Sequence, residues 1–242
     1  MCIAVVAWKV SADLPLVIIA NRDEFHARPA APLAPWNDGT GIIAGRDLQS
    51  GGTWLGVSET TDRLALITNF RDPDGMRADA PSRGQLVTDW LSGQWQDVED
   101  RRGDFDAYNG FSLILIDGRA GTILDNRSLQ EPVEMSSPGF YGLSNGPFAQ
   151  PWPKTMRLSH GLERTLDGDA SMEDLFGLLG QSGPLVAGDT DGAPIFIANE
   201  TYGTRCSTVV TLDADGRGTI AERRFDDEAR ATGETALDFR WS

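Results

Sequence analysis

The sequence predicts an α+β fold in which antiparallel sheets are faced by helices, and three observations predict it. Its hydrophobic pattern falls into blocks, strands then helices then strands then helices then strands, rather than a strict strand–helix alternation. The strand runs are short, apolar, β-branched or aromatic, and are punctuated by Gly, Pro and Asp. With 242 residues, 40% of them hydrophobic, the chain can bury a sizeable core, and no linker divides it, so residues 1–242 are read as one domain.

The first third is a succession of strands at residues 3–8, 16–20, 41–44, 53–57 and 64–68. The polar turn at 9–14 is short, so the first two strands are expected to pair as a hairpin. The second run meets four polar residues, Asn21-Arg22-Asp23-Glu24, and is read as ending there; polar groups at a strand end are poised to line a site. The hairpin carries that end back beside Cys2. Gly51-Gly52-Thr53-Trp54 lacks the lysine and following helix of a phosphate loop and reads as a tight turn into a strand whose Trp packs in the core.

Helices come next. Ser82 is a plausible N-cap for a helix running to Leu91, with Leu86, Val87, Trp90 and Leu91 on its buried face. A second, more polar helix is expected around 95–102. Strands return at 111–116 and 122–124, joined through Asp117-Gly118, a strong hairpin signal, and again at 139–144. After Pro151-Trp152-Pro153 a helix from Lys154 to about Leu166 sets Met156, Leu158, Leu162 and Leu166 mostly on one face, and Ser171 caps a short helix at 172–179. Strands at 195–198, 207–212 and 219–224 close the pattern, spaced by Asp/Gly turns.

Composition excludes several functions. A formal net charge of -15 and a pI near 4.4 argue against nucleic acid or an anionic membrane as a general partner, because phosphate binding needs clustered Lys and Arg. Cys2 and Cys206, the two cysteines, make neither a disulfide framework nor a metal-ligand spacing, which points to a reducing compartment. No apolar run reaches the roughly 18–20 residues of a membrane span, and the N-terminus lacks the features of a secretory signal. A cytoplasmic location is therefore expected.

Chemistry concentrates at Cys2. If Met1 is trimmed, a thiol and a free α-amine share one residue, and both titrate near working pH, at about 8.5 and about 8. The plainer reading is that position 2 is merely small enough to permit methionine removal. Arg22 and Asp23 suit a site at the hairpin end, or equally a surface ion pair. An attacked carbonyl needs fixed donors for its oxyanion; Asn69 and Asn145 each stand where a strand runs out, as ordinary turn residues also do. Arg205 precedes an apolar strand, and a guanidinium beside a thiol favours the thiolate. Cys206 reads as a small packing residue. His26 and His160, the only histidines, lie far from Cys2 in sequence, so no Cys–His dyad follows from spacing.

Cys2, Asn21-Arg22-Asp23-Glu24, Gly51-Gly52-Thr53-Trp54-Leu55-Gly56, Thr68-Asn69-Phe70-Arg71, Ser82-Arg83-Gly84, Gly142-Leu143-Ser144-Asn145 and Pro151-Trp152-Pro153-Lys154 occur in this order. With them the chain resembles, over essentially its whole length, the NRDE family, which includes the transport and Golgi organisation 2 proteins. The resemblance implies the four-layer αββα sandwich of antiparallel sheets found in N-terminal nucleophile (Ntn) hydrolases. It also implies a distant likeness to the cholylglycine hydrolase and penicillin V acylase group, in which a processed N-terminal cysteine attacks a linear amide. Carried across by position, that group's roles fall on Cys2, on Asp23 with Arg22, on Asn69 and Asn145 for the oxyanion, and on Arg205. In the acylases the basic and acidic residues stand three apart, whereas Arg22 and Asp23 are adjacent, which leaves Glu24 as an alternative acid.

These readings lead to an amidohydrolase acting on a non-peptide C–N amide bond, with a small-molecule amide as partner and no cofactor or metal. The resemblance also implies a competing function, a non-enzymatic carrier of haem or of an acyl-coenzyme A or other lipid, because eukaryotic members are linked to haem trafficking and lipid metabolism. Haem would need an axial ligand such as Cys2, His26 or His160. A third reading is an interaction domain with a vestigial pocket.

Overall fold

The computed structural model describes residues 2–72, 75–118, 120–182 and 194–242, and in it the chain is α+β, with two antiparallel sheets and few helices. In chain order the strands are β1 (Cys2–Trp8), β2 (Leu16–Phe25), β3 (Ala30–Pro35), β4 (Ile42–Asp47), β5 (Leu55–Ser58), β6 (Arg63–Asn69), β7 (Phe111–Ile116), β8 (Gly121–Asp125), β9 (Val133–Glu134), β10 (Gly139–Leu143), β11 (Tyr202–Leu212), β12 (Arg217–Phe225) and β13 (Ala231–Arg240). The helices are α1 (Gly84–Leu91), α2 (Pro153–Leu166) and α3 (Met172–Leu179), with a 3-10 helix at Arg102–Ala107. The chain divides into two compact units, Met1–Ala27 with Ser137–Phe239 and Arg28–Ser136 with Arg240–Ser242.

In the first unit the strands run β10-β1-β2-β11-β12-β13. Because side chains alternate between faces along a strand, Ile3, Val5 and Ala7 share one face with Val17, Ile19, Val209 and Ala221. That face packs on Leu158 and Leu162 of α2 and on Leu175, Phe176 and Leu179 of α3. Each such side chain, buried in full, contributes about 1.5–3 kcal/mol. Local signals fix the helix starts. Pro153 opens α2, where a missing N–H costs nothing. Ser171 and Asp174 form a reciprocal capping box on α3. Close approach matters too: a Cβ at Gly142 of β10 would fall 2.5 Å from Thr155 Cγ2 on α2.

The second unit orders its strands β3-β4-β5-β6-β7-β8-β9. One face, with Ile42, Ala44, Ala65, Ile67, Leu113 and Leu115, packs on Leu86, Val87, Trp90 and Leu91 of α1. The two glycine motifs of this unit explain one another. A Cβ on Gly52 would lie 2.6 Å from the carbonyl carbon of Gly84, and one on Gly84 would lie 2.9 Å from Thr53 O, so backbone meets backbone where α1 begins. Gly52→Ala is therefore expected to destabilise the protein by about 1–3 kcal/mol, measured by urea denaturation; an unchanged midpoint would refute this account of the motif.

Several elements differ from the sequence reading. β2 does not stop at Ala20 but runs to Phe25, paired with β11 as far as Phe25↔Tyr202, because its polar side chains find partners inside the fold. The segment 195–198 is not a strand: it makes one isolated bridge, Ala198↔Gly203, and Ile197 N–H donates to Thr204 Oγ1 rather than to a ladder. α1 is capped by Arg83, not Ser82, with no side-chain cap bond. No helix forms over 95–101, where Asp100 and Asp97 carboxylates take the N–H groups of Gln96, Asp97 and Asp100 and compete with helical bonding. The helical turn comes later, at Arg102–Ala107. Trp54 is half-buried, ahead of β5, rather than a core residue.

Three strands escaped the sequence reading. β3 contains Pro32 and Pro35, tolerated because it is an edge strand. β9 has two residues, and β13 is a polar, largely exposed edge. Among the described residues no helix is long and apolar enough to cross a membrane.

Candidate functional site

The pairing of β1 with β2 is in register from Trp8↔Leu16 to Cys2↔Arg22, and that of β2 with β11 sets Arg22 against Cys206. β11 and β12 continue the line with Cys206↔Arg224. On the other side, β1 pairs with β10, whose last pair is Ala4↔Leu143, and Asn145 follows two residues beyond that end. Directly opposed residues share a face, so one row reads Cys2, Arg22, Cys206, Arg224. Cys2 is half-buried, while Arg22, Asn145 and Cys206 are buried.

The row separates its two thiols. Cys2 and Cys206 flank Arg22 and so lie two strand spacings apart, about 9.5 Å, beyond the roughly 7 Å limit for a disulfide. Burial pushes the Cys206 thiol well above the usual range, and the neighbouring Glu222 carboxylate adds to this. Cys206 is thus an inert packing thiol. Glu222, itself buried, lies 3.6 Å from Arg224, so the far end of the row carries both signs of charge.

Behind the row, Asp23 points toward the helix side of β2. Its carboxyl accepts from Thr204 Oγ1 at 2.7 Å, and the same hydroxyl accepts from Ile197 N–H at 2.9 Å, which fixes the hydroxyl proton toward Asp23. Tyr202 OH donates to the Asp23 carbonyl at 2.7 Å. Burial raises the Asp23 carboxyl to about 6, against the opposing pull of the Thr204 hydrogen bond, Lys154 and Arg22. Asn21, in the same motif, is structural: its amide donates to Leu179 O and Ile195 O and accepts from Ser207, tying α3 to the sheet. Glu24, half-buried, accepts from Phe25 N–H.

In the sequence Lys154 closes the Pro151-Trp152-Pro153-Lys154 motif and marks a helix start. The structure buries it to 1% exposure, and its Nζ has no hydrogen-bond partner among the described residues. It stands 5.9 Å from the centroid of the Trp152 ring. That ring lies against Gly146, where a Cβ would fall 2.3 Å from Trp152 Nε1, and Gly146 follows Asn145. Burial pulls the Lys154 ammonium down, while Asp23 and Cys2 pull it back up. The signal available in sequence was a lysine in the first turn of a helix, where the macrodipole disfavours a cation.

Arg205 sits at an irregularity in the β2–β11 pairing and donates to Phe25 O and His26 O at 3.2 and 2.7 Å, holding the end of β2. Asn69 ends β6 opposite Phe111 in the second unit. The His26 ring meets Asn199 O at 2.9 Å, and His160 is exposed on α2. Met1 lies outside the described residues. No group of three or more His, Cys, Asp or Glu able to hold a metal ion occurs among the described residues.

The sequence profile of a family described as Transport and Golgi organisation 2 matches residues 1–227. The chain is 34% identical to the Transport and Golgi organization protein 2 homolog of Bos taurus, over 86% of each chain. It is 32% identical to the Homo sapiens protein of that name, over 91% of this chain and 90% of the relative. Identity falls to 23% with the Transport and Golgi organization protein 2 of Drosophila melanogaster, over 84% and 83%.

Proposed function

Because this chain belongs to the Transport and Golgi organisation 2 family and carries a cysteine at the start of its first strand, we propose that it is a cysteine amidohydrolase that cleaves a linear, non-peptide C–N amide bond. The observation that carries this reading is the placement of Cys2: a half-buried thiol at the start of β1, opposite Arg22, with the buried Asn145 two residues beyond the end of the neighbouring β10 and the Asp23 carboxyl buried on the helix side of β2. The matching architecture is the four-layer αββα sandwich. In its favour, each sheet has helices on one face and buried apolar residues on the other, among them Val6 and Ile18 in the first unit and Leu64 and Ile114 in the second.

The reaction follows from those groups. Cys2 Sγ, having lost its proton to a base, attacks the amide carbon and turns the carbonyl oxygen into an oxyanion. The buried Asn145 amide donates to that oxygen, a contribution typically worth 10²–10³ in rate. Collapse breaks the C–N bond, the amine leaves with a proton, and water then hydrolyses the thioester. Arg22 sets a guanidinium on the strand position opposite Cys2, and Asp23 is the acid that holds a cationic amine, including the α-ammonium of a Cys2 freed of Met1. Asn69 and Arg205 enter this reading through the resemblance alone. A reducing compartment such as the cytosol suits it, because it keeps the thiol free.

The test uses wild-type protein and a panel of N-acyl amides and acyl p-nitroanilides. Amine release, with a transient mass increase equal to the acyl group and mapped to Cys2, is the expected result. Neither release nor adduct across the panel would overturn the proposal.

A further inference from the structure

The first turn of α2 buries two side-chain donors that no described residue accepts. Side chains of an α-helix tilt toward its N-terminus, and Lys154, at the second position of α2, runs back over the residue that precedes the helix, its Nζ 5.9 Å from the centroid of the Trp152 ring. Lys154 is 1% exposed, and its Nζ has no hydrogen-bond partner among the described residues. Thr155, also 1% exposed, repeats the pattern with an Oγ1 that has no partner among them. A helical threonine can bond back to a carbonyl three or four residues earlier, but Trp152 O is already taken by the N–H groups of Thr155 and Met156. The helix start has no side-chain cap, so the N–H of Lys154 is among the donors that a helix start leaves unanswered. Two buried polar groups without partners in successive residues are costly, and methionine and valine would fill the same places without that cost.

We propose that the start of α2 is a binding site for a small oxyanion, the carboxylate or phosphate group of a small molecule, held by Lys154 Nζ, Thr155 Oγ1 and the N-terminus of the helix. Each of the three answers negative charge. The ammonium brings a full charge and N–H donors, the hydroxyl brings an O–H, and the helix start brings the positive end of the macrodipole. The dipole that disfavours a lone lysine at this position favours a lysine with an anion beside it, and the anion in turn holds the ammonium charged against its burial. Tight packing fixes the donors: a Cβ at Gly142 would fall 2.5 Å from Thr155 Cγ2, and one at Gly146 would fall 2.3 Å from Trp152 Nε1. One and two turns further on, Leu158 and Leu162 share a core with Ile3 and Val5. The site does not rest on the nucleophilic role proposed for Cys2, whose side chain leaves β1 on the face away from Ile3 and the helices.

Ligand-dependent stability tests the site. Thermal unfolding at pH 7 is followed in inorganic phosphate, in acetate, and in chloride at matched ionic strength, for wild type, Lys154→Met and Thr155→Val. The expected result is a saturable rise in the wild-type unfolding temperature with phosphate or acetate, beyond that in chloride. Lys154→Met should weaken this binding about tenfold or more, and Thr155→Val several-fold. A response to phosphate alone assigns a phosphate group, and a response to acetate alone assigns a carboxylate. If neither oxyanion stabilises the wild type beyond chloride, the site is overturned; a binding curve that Lys154→Met leaves unchanged overturns it equally. Should Lys154→Met fail to fold, Thr155→Val decides, because a hydroxyl that donates to the anion cannot be removed without weakening its binding. None of these readouts involves acyl transfer, so the site can fail while the cysteine chemistry stands, and the reverse.

Discussion

Replacing Cys2 with alanine is expected to abolish acyl transfer while leaving the unfolding free energy within about 0.5 kcal/mol of wild type. The fold loses little because Cys2 is half-buried at the first position of β1 and its backbone pairing with Arg22 needs no sulfur. The chemistry loses everything because no second nucleophile stands in the row. Cys206 is buried, its thiol is pushed well above the usual range, and it sits on the far side of Arg22. Cys2→Ser separates shape from reactivity: it restores the volume of the side chain, but a hydroxyl does not ionise near neutral pH, so a Cys2→Ser protein that folds and stays inert is the companion result. Intact mass after exposure to acyl p-nitroanilides, read beside a urea unfolding curve, measures both halves. An alanine variant that still releases amine would remove the mechanism.

The part of this site that was legible in the sequence is the part encoded locally. The continuous apolar run of residues 3–8, a short polar turn and a second apolar run suffice to predict the hairpin that returns Arg22 to Cys2. Ser171 with Asp174, and Pro153 at the start of α2, announce their helices in the same way. What escaped is set by partners distant in sequence. Asn21 to Glu24 read as a strand end because four polar residues follow an apolar run, yet Ser207, Thr204 and Leu179, more than 150 positions away, satisfy Asn21 and Asp23 and let β2 continue. Arg205 looked like a guanidinium for the thiol, whereas β11 pairing sends it to the carbonyls that follow β2. Lys154 was visible as a letter but not as a buried charge, because nothing local reveals that Trp152 and the sheet enclose it.

Asp23→Asn is expected to make the protein more stable at pH 8 and to disable it. Burial raises the Asp23 carboxyl to about 6, whereas an unfolded chain holds it near 3.9. The folded state therefore binds this proton more tightly than the unfolded state does. The resulting stability is fully present below pH ~4 and is lost as pH rises through about 6. At pH 8 the ionised, buried carboxylate costs on the order of 3 kcal/mol, from about two pKa units at ~1.4 kcal/mol each. Asparagine keeps an acceptor for Thr204 Oγ1 and cannot ionise, so the variant should gain up to that amount at pH 8, less whatever the neighbouring Lys154 ammonium loses with its anion, and its curve should meet the wild-type curve near pH 4. Urea denaturation at intervals from pH 4 to pH 8 reads this directly. The same substitution removes the negative charge that would hold a cationic amine beside the thiol, and amide cleavage should fall with it. A site whose acid is maintained at a cost to the fold behaves as a working site, since activity and stability then pull the residue in opposite directions. If the asparagine variant is instead less stable at pH 8, Asp23 serves as the anchor of a buried ion pair, and the assignment of Asp23 as the acid of the amidohydrolase site fails.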